Sequence, residues 1–204
     1  MGFTSEHLRR AAAALAKKAA AVAEELNAQD AKLGDGDLGI TVSKGWREVA
    51  AEAAALPDDL GQAFLACAKT FQRVSSSSFG TLVATAFMSA AKAAKGRSEV
   101  EWQEVSSLLS GARDAMMARG RGNLGDKSLL DAVDAVALAT AGLQDPSAIL
   151  AAADRATNQA LDSFREQPNK LGRARMFGAK SIGLDDPGML AFRRLLDGLI
   201  REDD

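Results

Sequence analysis

One cysteine, one histidine and no tyrosine occur in 204 residues. A single cysteine excludes a disulfide framework and any Cys-x-x-Cys motif. Cys67 lies in an apolar helical stretch and reads as a small buried hydrophobe, a usage that suits a reducing compartment. A single histidine excludes a His-rich zinc site. His7, in the polar N-terminal turn, is also poorly placed to serve as the base of a Ser-His-Asp or Cys-His centre, and reads as an exposed helix residue. Aromatic residues make up only 5% of the chain, too few for the stacking platforms that hold single-stranded nucleic acid. A formal net charge of −2 gives no bulk attraction to nucleic acid or anionic membrane. No apolar run approaches a membrane span. Met1-Gly-Phe-Thr-Ser-Glu-His lacks the basic and apolar regions of a secretory signal. The expectation is one cytoplasmic domain, residues 1–204, with neither nucleic acid nor membrane among its partners.

What is present is alanine and leucine, with almost no β-branched runs, so helix propensity is high along most of the chain. Breakers and caps predict an all-α chain of about eight helices. The first spans about 4–27, with Leu8, Ala12, Leu15, Ala19, Val22 and Leu26 at three- and four-residue spacing. The second runs from Leu38 to before Pro57. The third covers 58–74, capped by Asp58 or Asp59. The fourth follows Gly80 and stops near Gly96. The fifth begins near Ser98, with Glu101 in a capping-box position, and ends by Gly120. The sixth spans 126–141, and the seventh runs from Pro146, a favourable first-turn proline, to near Gln167. The eighth runs from Pro187 to Ile200. Short connections favour antiparallel neighbours in an up-and-down bundle. Trp46 and Trp102 read as helix-packing residues.

Four connections stand apart: Gly34–Gly39, Ser75–Gly80, Gly120–Gly125 and the long Leu171–Gly188. They follow the first, third, fifth and seventh helices, so in an up-and-down bundle they meet at one end. Loops carried on a rigid scaffold are where function concentrates. The first connection carries Asp35 and Asp37 close after Asp30. Three carboxylates so close repel one another unless a cation joins them, and an oxygen-only set suits a hard divalent ion, Mg²⁺ above all. An EF-hand does not fit, because the twelfth position from Asp30 is Thr41 and from Asp35 is Trp46, neither a glutamate. Ordinary turn formation by Asp and Gly remains the alternative. The Gly39-Ile40-Thr41 helix start favours an anion. Ser75 to Ser78 add four hydroxyls and backbone donors, the third connection is small and open, and Arg173 and Arg175 supply positive charge. Gly125-Asp126-Lys127-Ser128 imitates the tail of a P-loop, but its lysine does not directly follow glycine and no strand precedes it. It reads equally as a helix start with Asp126 near the N-cap. Carboxylate-bound metal, helix-terminal donors and arginine together suit nucleotide phosphate. Phosphoryl transfer asks the protein mainly to position groups and neutralise charge.

Gly34-Asp35-Gly36-Asp37-Leu38-Gly39 resembles the GDGDHG loop of the nucleotide-binding L subunit of dihydroxyacetone kinases. Gly125-Asp126-Lys127-Ser128-Leu129-Leu130-Asp131-Ala132 and the segment from Gly172 to Gly188 are similar to two further motifs of that family, in the family's order. The resemblance implies an eight-helix antiparallel barrel with nucleotide, ADP or ATP, at one end. It implies two Mg²⁺ ions on Asp30, Asp35 and Asp37, which with Arg173 form the catalytic set. It further implies a nucleotide site lined by Leu38, Gly39, Thr41, Ser77, Ser78, Gly120, Leu129, Arg173, Asp186 and Gly188. A separate K-type subunit would hold the small ketose or aldose, so that kinase activity requires this partner. The donor would be ATP in some members, and in others bound ADP rephosphorylated in place by a phosphotransferase-system protein. Three positions depart from the family pattern: Leu38 replaces a histidine, Phe79 a glycine and Met176 a tyrosine. The alternative reading is a nucleotide-sensing interaction module without turnover.

Overall fold

A computed structural model of the chain describes residues 2–75 and 77–200. Its α-helices are α1 (Ser5–Asp30), α2 (Leu38–Glu52), α3 (Leu60–Val74), α4 (Ser78–Ala93), α5 (Val105–Gly120), α6 (Leu129–Ala139), α7 (Pro146–Arg165) and α8 (Pro187–Ile200). Each packs on its neighbours in the chain, and α8 closes the ring against α1. The fold is therefore an all-α antiparallel barrel, as the sequence pattern and the family resemblance both predict.

The apolar stripe of α1 carries the register. Leu8, Ala12, Leu15, Ala19, Val22 and Leu26 are all buried and join Leu38, Val42, Trp46 and Val49 of α2 in the largest core cluster. Trp46 meets Phe71 and Phe87 edge-on, while Trp102 stands edge-on to Phe3 and His7. Cys67 is buried, and loss of hydration pushes its thiol up to about 12, so it behaves as a hydrophobe.

Several helix ends differ from the sequence reading, each for a local reason. Helix α1 continues to Asp30, because Asn27 turns its side chain toward the next helix instead of ending its own. At the start of α3, Asp59 rather than Asp58 caps, its carboxylate accepting the Gln62 N–H at 2.8 Å. Ser77 caps α4, which begins before Gly80. The stretch after Ser98 is not helical. Glu99–Val100 (β2) pairs antiparallel with Phe3–Thr4 (β1), and Glu101 then caps a 3₁₀ turn over Trp102–Glu104 with Glu104 as its box partner. Helix α6 starts at Leu129 rather than Asp126, because Ser128 and Asp131 form the actual capping box. His7 is half-buried rather than exposed, and its Nδ1 accepts the Thr4 N–H at 3.1 Å in the α1 cap.

Candidate functional site

Because α1 ends at Asp30, a helix carries the first carboxylate and only Asp35 and Asp37 belong to the turn. Asp30 Oδ2 accepts the N–H groups of Gly36 at 2.9 Å and Asp37 at 3.1 Å. This folds the turn back over the helix end, and Gly36 takes the left-handed conformation it requires, at φ 76°. One oxygen from each of Asp30, Asp35 and Asp37 lies within 4.8 Å of the others. Two unit charges about 4 Å apart repel by about 1 kcal/mol even in water, so the arrangement favours a cation. The Arg173 guanidinium, reaching over from the segment between α7 and α8, makes an ion pair with Asp35.

The loops after α1, α3, α5 and α7 do meet at one end of the barrel, around a cleft of about 400 Å³. Asp30, Asp35, Asp37, Leu38, Thr41, Ser77, Ser78, Gly120, Leu129, Arg173, Asp186 and Gly188 all line it. Its walls also include Phe79, which stands where the family pattern has a glycine, and Leu33, Leu82 and Arg119, which the sequence reading did not single out. Gly39 does not line the cleft. It is buried at the α1–α2 crossing, where a β-carbon would come within 1.9 Å of the Ala23 carbonyl oxygen. Leu38 is buried in the main core cluster while bordering the cleft, so where the family pattern has an imidazole this chain presents an apolar wall.

The helix N-termini are less open to an anion than the sequence suggests. Asn27 Oδ1 accepts the N–H groups of Gly39 at 2.7 Å and Ile40 at 3.2 Å. Ser77 Oγ accepts the Gly80 N–H at 3.1 Å. The Thr81 hydroxyl donates to the Ser77 carbonyl at 2.9 Å. The first-turn donors of α2 and α4 are thus partly spent within the protein. Of the four serines, Ser76 lies outside the described residues.

Behind the cleft is a buried polar network absent from the sequence reading. Lys127, fully buried, donates from Nζ to the carbonyls of Arg165 at 3.1 Å, Gln167 at 2.8 Å and Ser181 at 2.9 Å. Asn169 Nδ2 donates to the Lys127 carbonyl and to Asp186 Oδ2, both at 2.8 Å. Asp186 Oδ1 accepts the Met189 N–H at 2.8 Å, capping α8. Asp131 accepts from the N–H groups of Gly125 and Ser128. One signal was available in the sequence. Ser128-x-x-Asp131 fits a capping box, which starts the helix at Leu129 and leaves Lys127 just outside it.

Burial pushes the Asp186 carboxyl up to about 7, against the pull of the Met189 and Gly188 N–H groups and the Lys127 ammonium. An acid whose folded-state value is raised holds its proton longer in the native chain than in the unfolded one. Its contribution to stability is therefore present below about pH 4 and lost as pH rises toward about 7, and amounts to a few kcal/mol at most (~1.4 kcal/mol per unit). Denaturant unfolding across this range should show wild-type stability falling relative to Asp186→Asn, which has no titrating group there. Parallel pH profiles would show that Asp186 is ionised throughout.

An all-helical barrel with a carboxylate-and-arginine cleft at one end is the class of protein these features define. Residues 32–201 match the DAK2 domain family, and the chain belongs to it. It is 29% identical over 171 residues to the ADP-binding subunit DhaL of the PEP-dependent dihydroxyacetone kinase of Escherichia coli (strain K12), covering 81% of each chain. It is 34% identical over 190 residues to the D-erythrulose kinase of Mycolicibacterium smegmatis, covering 88% of this chain and 32% of that one. Among solved structures, the native dihydroxyacetone kinase of C. freundii superposes with a TM-score of 0.76 at 23% identity, over 95% of this chain and 34% of that one. The same kinase in complex with AMP-PNP and Mg²⁺ gives 0.72 at 20% identity, over 99% of this chain and 35% of that one. The chain thus spans about a third of the erythrulose and C. freundii kinases but most of the separate DhaL subunit. No helix among the described residues is long and apolar enough to cross a membrane.

Proposed function

We propose that this chain, as one domain over 1–204, is the Mg²⁺-dependent nucleotide-binding subunit of a dihydroxyacetone-type kinase. Convergence of the carboxylate cluster, Arg173 and the loop after α3 on one cleft carries the reading. Three carboxylates within reach of one another and no softer ligand make a donor set that fits Mg²⁺. Asp30, Asp35 and Asp37 would hold two such ions, whose chemistry when bound is to neutralise phosphate charge. Thr41, Ser77, Ser78, Gly120, Leu129, Asp186 and Gly188 would line the nucleotide, with Leu38 as an apolar wall and Gly39 acting only through the helix crossing. Arg173, already paired with the cluster, would meet the negative charge of the transferring phosphate.

The substrate would be a small ketose or aldose held by a separate K-type subunit, without which the chain would not turn over. Its relatives' names include both the ADP-binding subunit of a PEP-dependent dihydroxyacetone kinase and an erythrulose kinase of which this chain covers 32%. ATP and ADP rephosphorylated in place by a phosphotransferase-system protein are both compatible donors. Thermal unfolding with ADP, Mg²⁺, both, and both plus EDTA tests the reading. Ligand at about a hundred times its dissociation constant should add about 2.7 kcal/mol, and only when metal and nucleotide are present together. A folded chain that shows no joint shift would overturn the proposal. Joint binding with every reconstituted K-type pair inactive would replace it with the nucleotide-sensing module.

A further inference from the structure

We infer that Lys127 is a positioning residue, whose ammonium group ties together the two ends of segment 168–180 and thereby holds Arg173 over the carboxylate cluster. Its three acceptors are the carbonyls of Arg165 and Gln167, where the chain leaves α7, and of Ser181, where it returns. One side chain therefore closes the neck of the whole excursion. All three ammonium donors are satisfied by neutral oxygens, so the contact serves backbone placement rather than charge pairing.

Other bonds mark the same neck. The Gly183 N–H donates to the Arg165 carbonyl at 2.9 Å. The Asn169 N–H donates to Ser181 Oγ at 2.9 Å, and that hydroxyl donates to the Gly178 carbonyl at 2.6 Å. The Lys170 N–H donates to the Asp126 carbonyl at 2.9 Å. Beyond the neck the segment is mostly exposed, a 3₁₀ stretch over Ala174–Ser181 broken at Gly178. Gly172 and Gly178 both have positive φ, Arg173 and Met176 are largely exposed, and the apolar side chains that turn inward include the partly buried Leu171 and the small, buried Ala174. An arginine on such a segment depends on its anchor for direction. Lys127 itself holds a left-handed backbone at φ 58°, a conformation that costs a non-glycine residue free energy. It also buries a full charge, which is costly.

That Arg173 meets phosphate rests on the proposed function; that Lys127 fixes the segment does not. The experiment separates the two. Hydrogen exchange on the full chain without ligand compares wild type with Lys127→Met. Amides of 168–183 should exchange faster in the variant while those of α1 to α3 keep their protection, and unchanged exchange in 168–183 would overturn the inference. Mg-ADP affinity is then measured for Lys127→Met, Arg173→Ala and the double variant. Each single change should weaken binding about tenfold, the scale of one charge-assisted hydrogen bond, and the double variant should be no weaker than the worse single one. Independent losses that multiply would assign Lys127 a purely structural role and overturn the inference. Failure of the wild type to bind Mg-ADP would defeat the proposed function, with hydrogen exchange still deciding on the tie. Should Lys127→Met not fold, Lys127→Gln, whose shorter amide keeps a donor but cannot reach all three carbonyls, carries the same measurements.

Discussion

Asp35→Ala is expected to abolish the Mg²⁺-dependent part of nucleotide binding while leaving the barrel intact. Asp35 is exposed, lies in a turn, and among the described residues accepts no backbone hydrogen bond. The substitution removes an exposed ion pair with Arg173, of a kind that contributes little, but it also relieves repulsion within the cluster. Thermal stability without ligand should therefore change by no more than about 0.5 kcal/mol. Mg-ADP affinity should fall about a hundredfold or more, since one of three charged ligands is lost. Calorimetric titration against ADP with and without Mg²⁺ measures it, and a wild-type affinity in Asp35→Ala would sink the metal assignment. Asp30 makes a poorer test. Its carboxylate also organises the turn through Gly36 and Asp37, so its loss mixes metal binding with loop geometry.

Gly39→Ala should be the most damaging methyl that can be added near the site. The new β-carbon would lie 1.9 Å from the Ala23 carbonyl oxygen, 2.7 Å from its carbon and 2.8 Å from Asn27 Oδ1. Two of these atoms are helix backbone and cannot swing away, so α1 and α2 must separate. Overpacking of this kind costs about 3 kcal/mol or more, or roughly 10 °C in melting temperature for a chain of this size. Because Asn27 caps α2 at the same crossing, the shift would also carry Asp37 away from Asp30 and weaken metal binding. Gly111→Ala in α5 is the control. Its methyl meets only the Ser89 hydroxyl, at 3.3 Å, and helix propensity favours alanine, so its melting temperature should stay close to wild type. Equal melting temperatures for Gly39→Ala and wild type would show that α1 and α2 can part at the crossing without cost.

Local rules and spacing settled the helical class, the buried stripe of α1 and the start of α7 at Pro146. Pro146 follows Asp145, whose carboxylate accepts the Ala148 N–H at 2.7 Å, and that pattern is readable in a few residues. The meeting of four loops at one end was also legible, because a run of antiparallel helices assigns every second connection to the same end. Those rules fail where the partner of a group is far along the chain. Ser98 and Glu101 look like a helix start, yet Glu99 and Val100 pair with residues nearly a hundred positions earlier. The Gly39 and Ile40 N–H groups look free for an anion, yet Asn27 of the preceding helix takes both.

The sequence by itself determined which charged, hydroxyl and small residues the cleft has to work with. Carboxylates, glycines and arginines at those spacings restrict the local backbone and the charge available, whatever surrounds them. Only the tertiary structure decided how they are aimed. Leu38 became a wall, Gly39 a helix crossing, and Lys127 a tie on carbonyls 38 to 54 residues further along the chain. The reason is physical: a buried polar group must find its partners wherever packing leaves them, and separation along the chain says nothing about distance across a closed barrel.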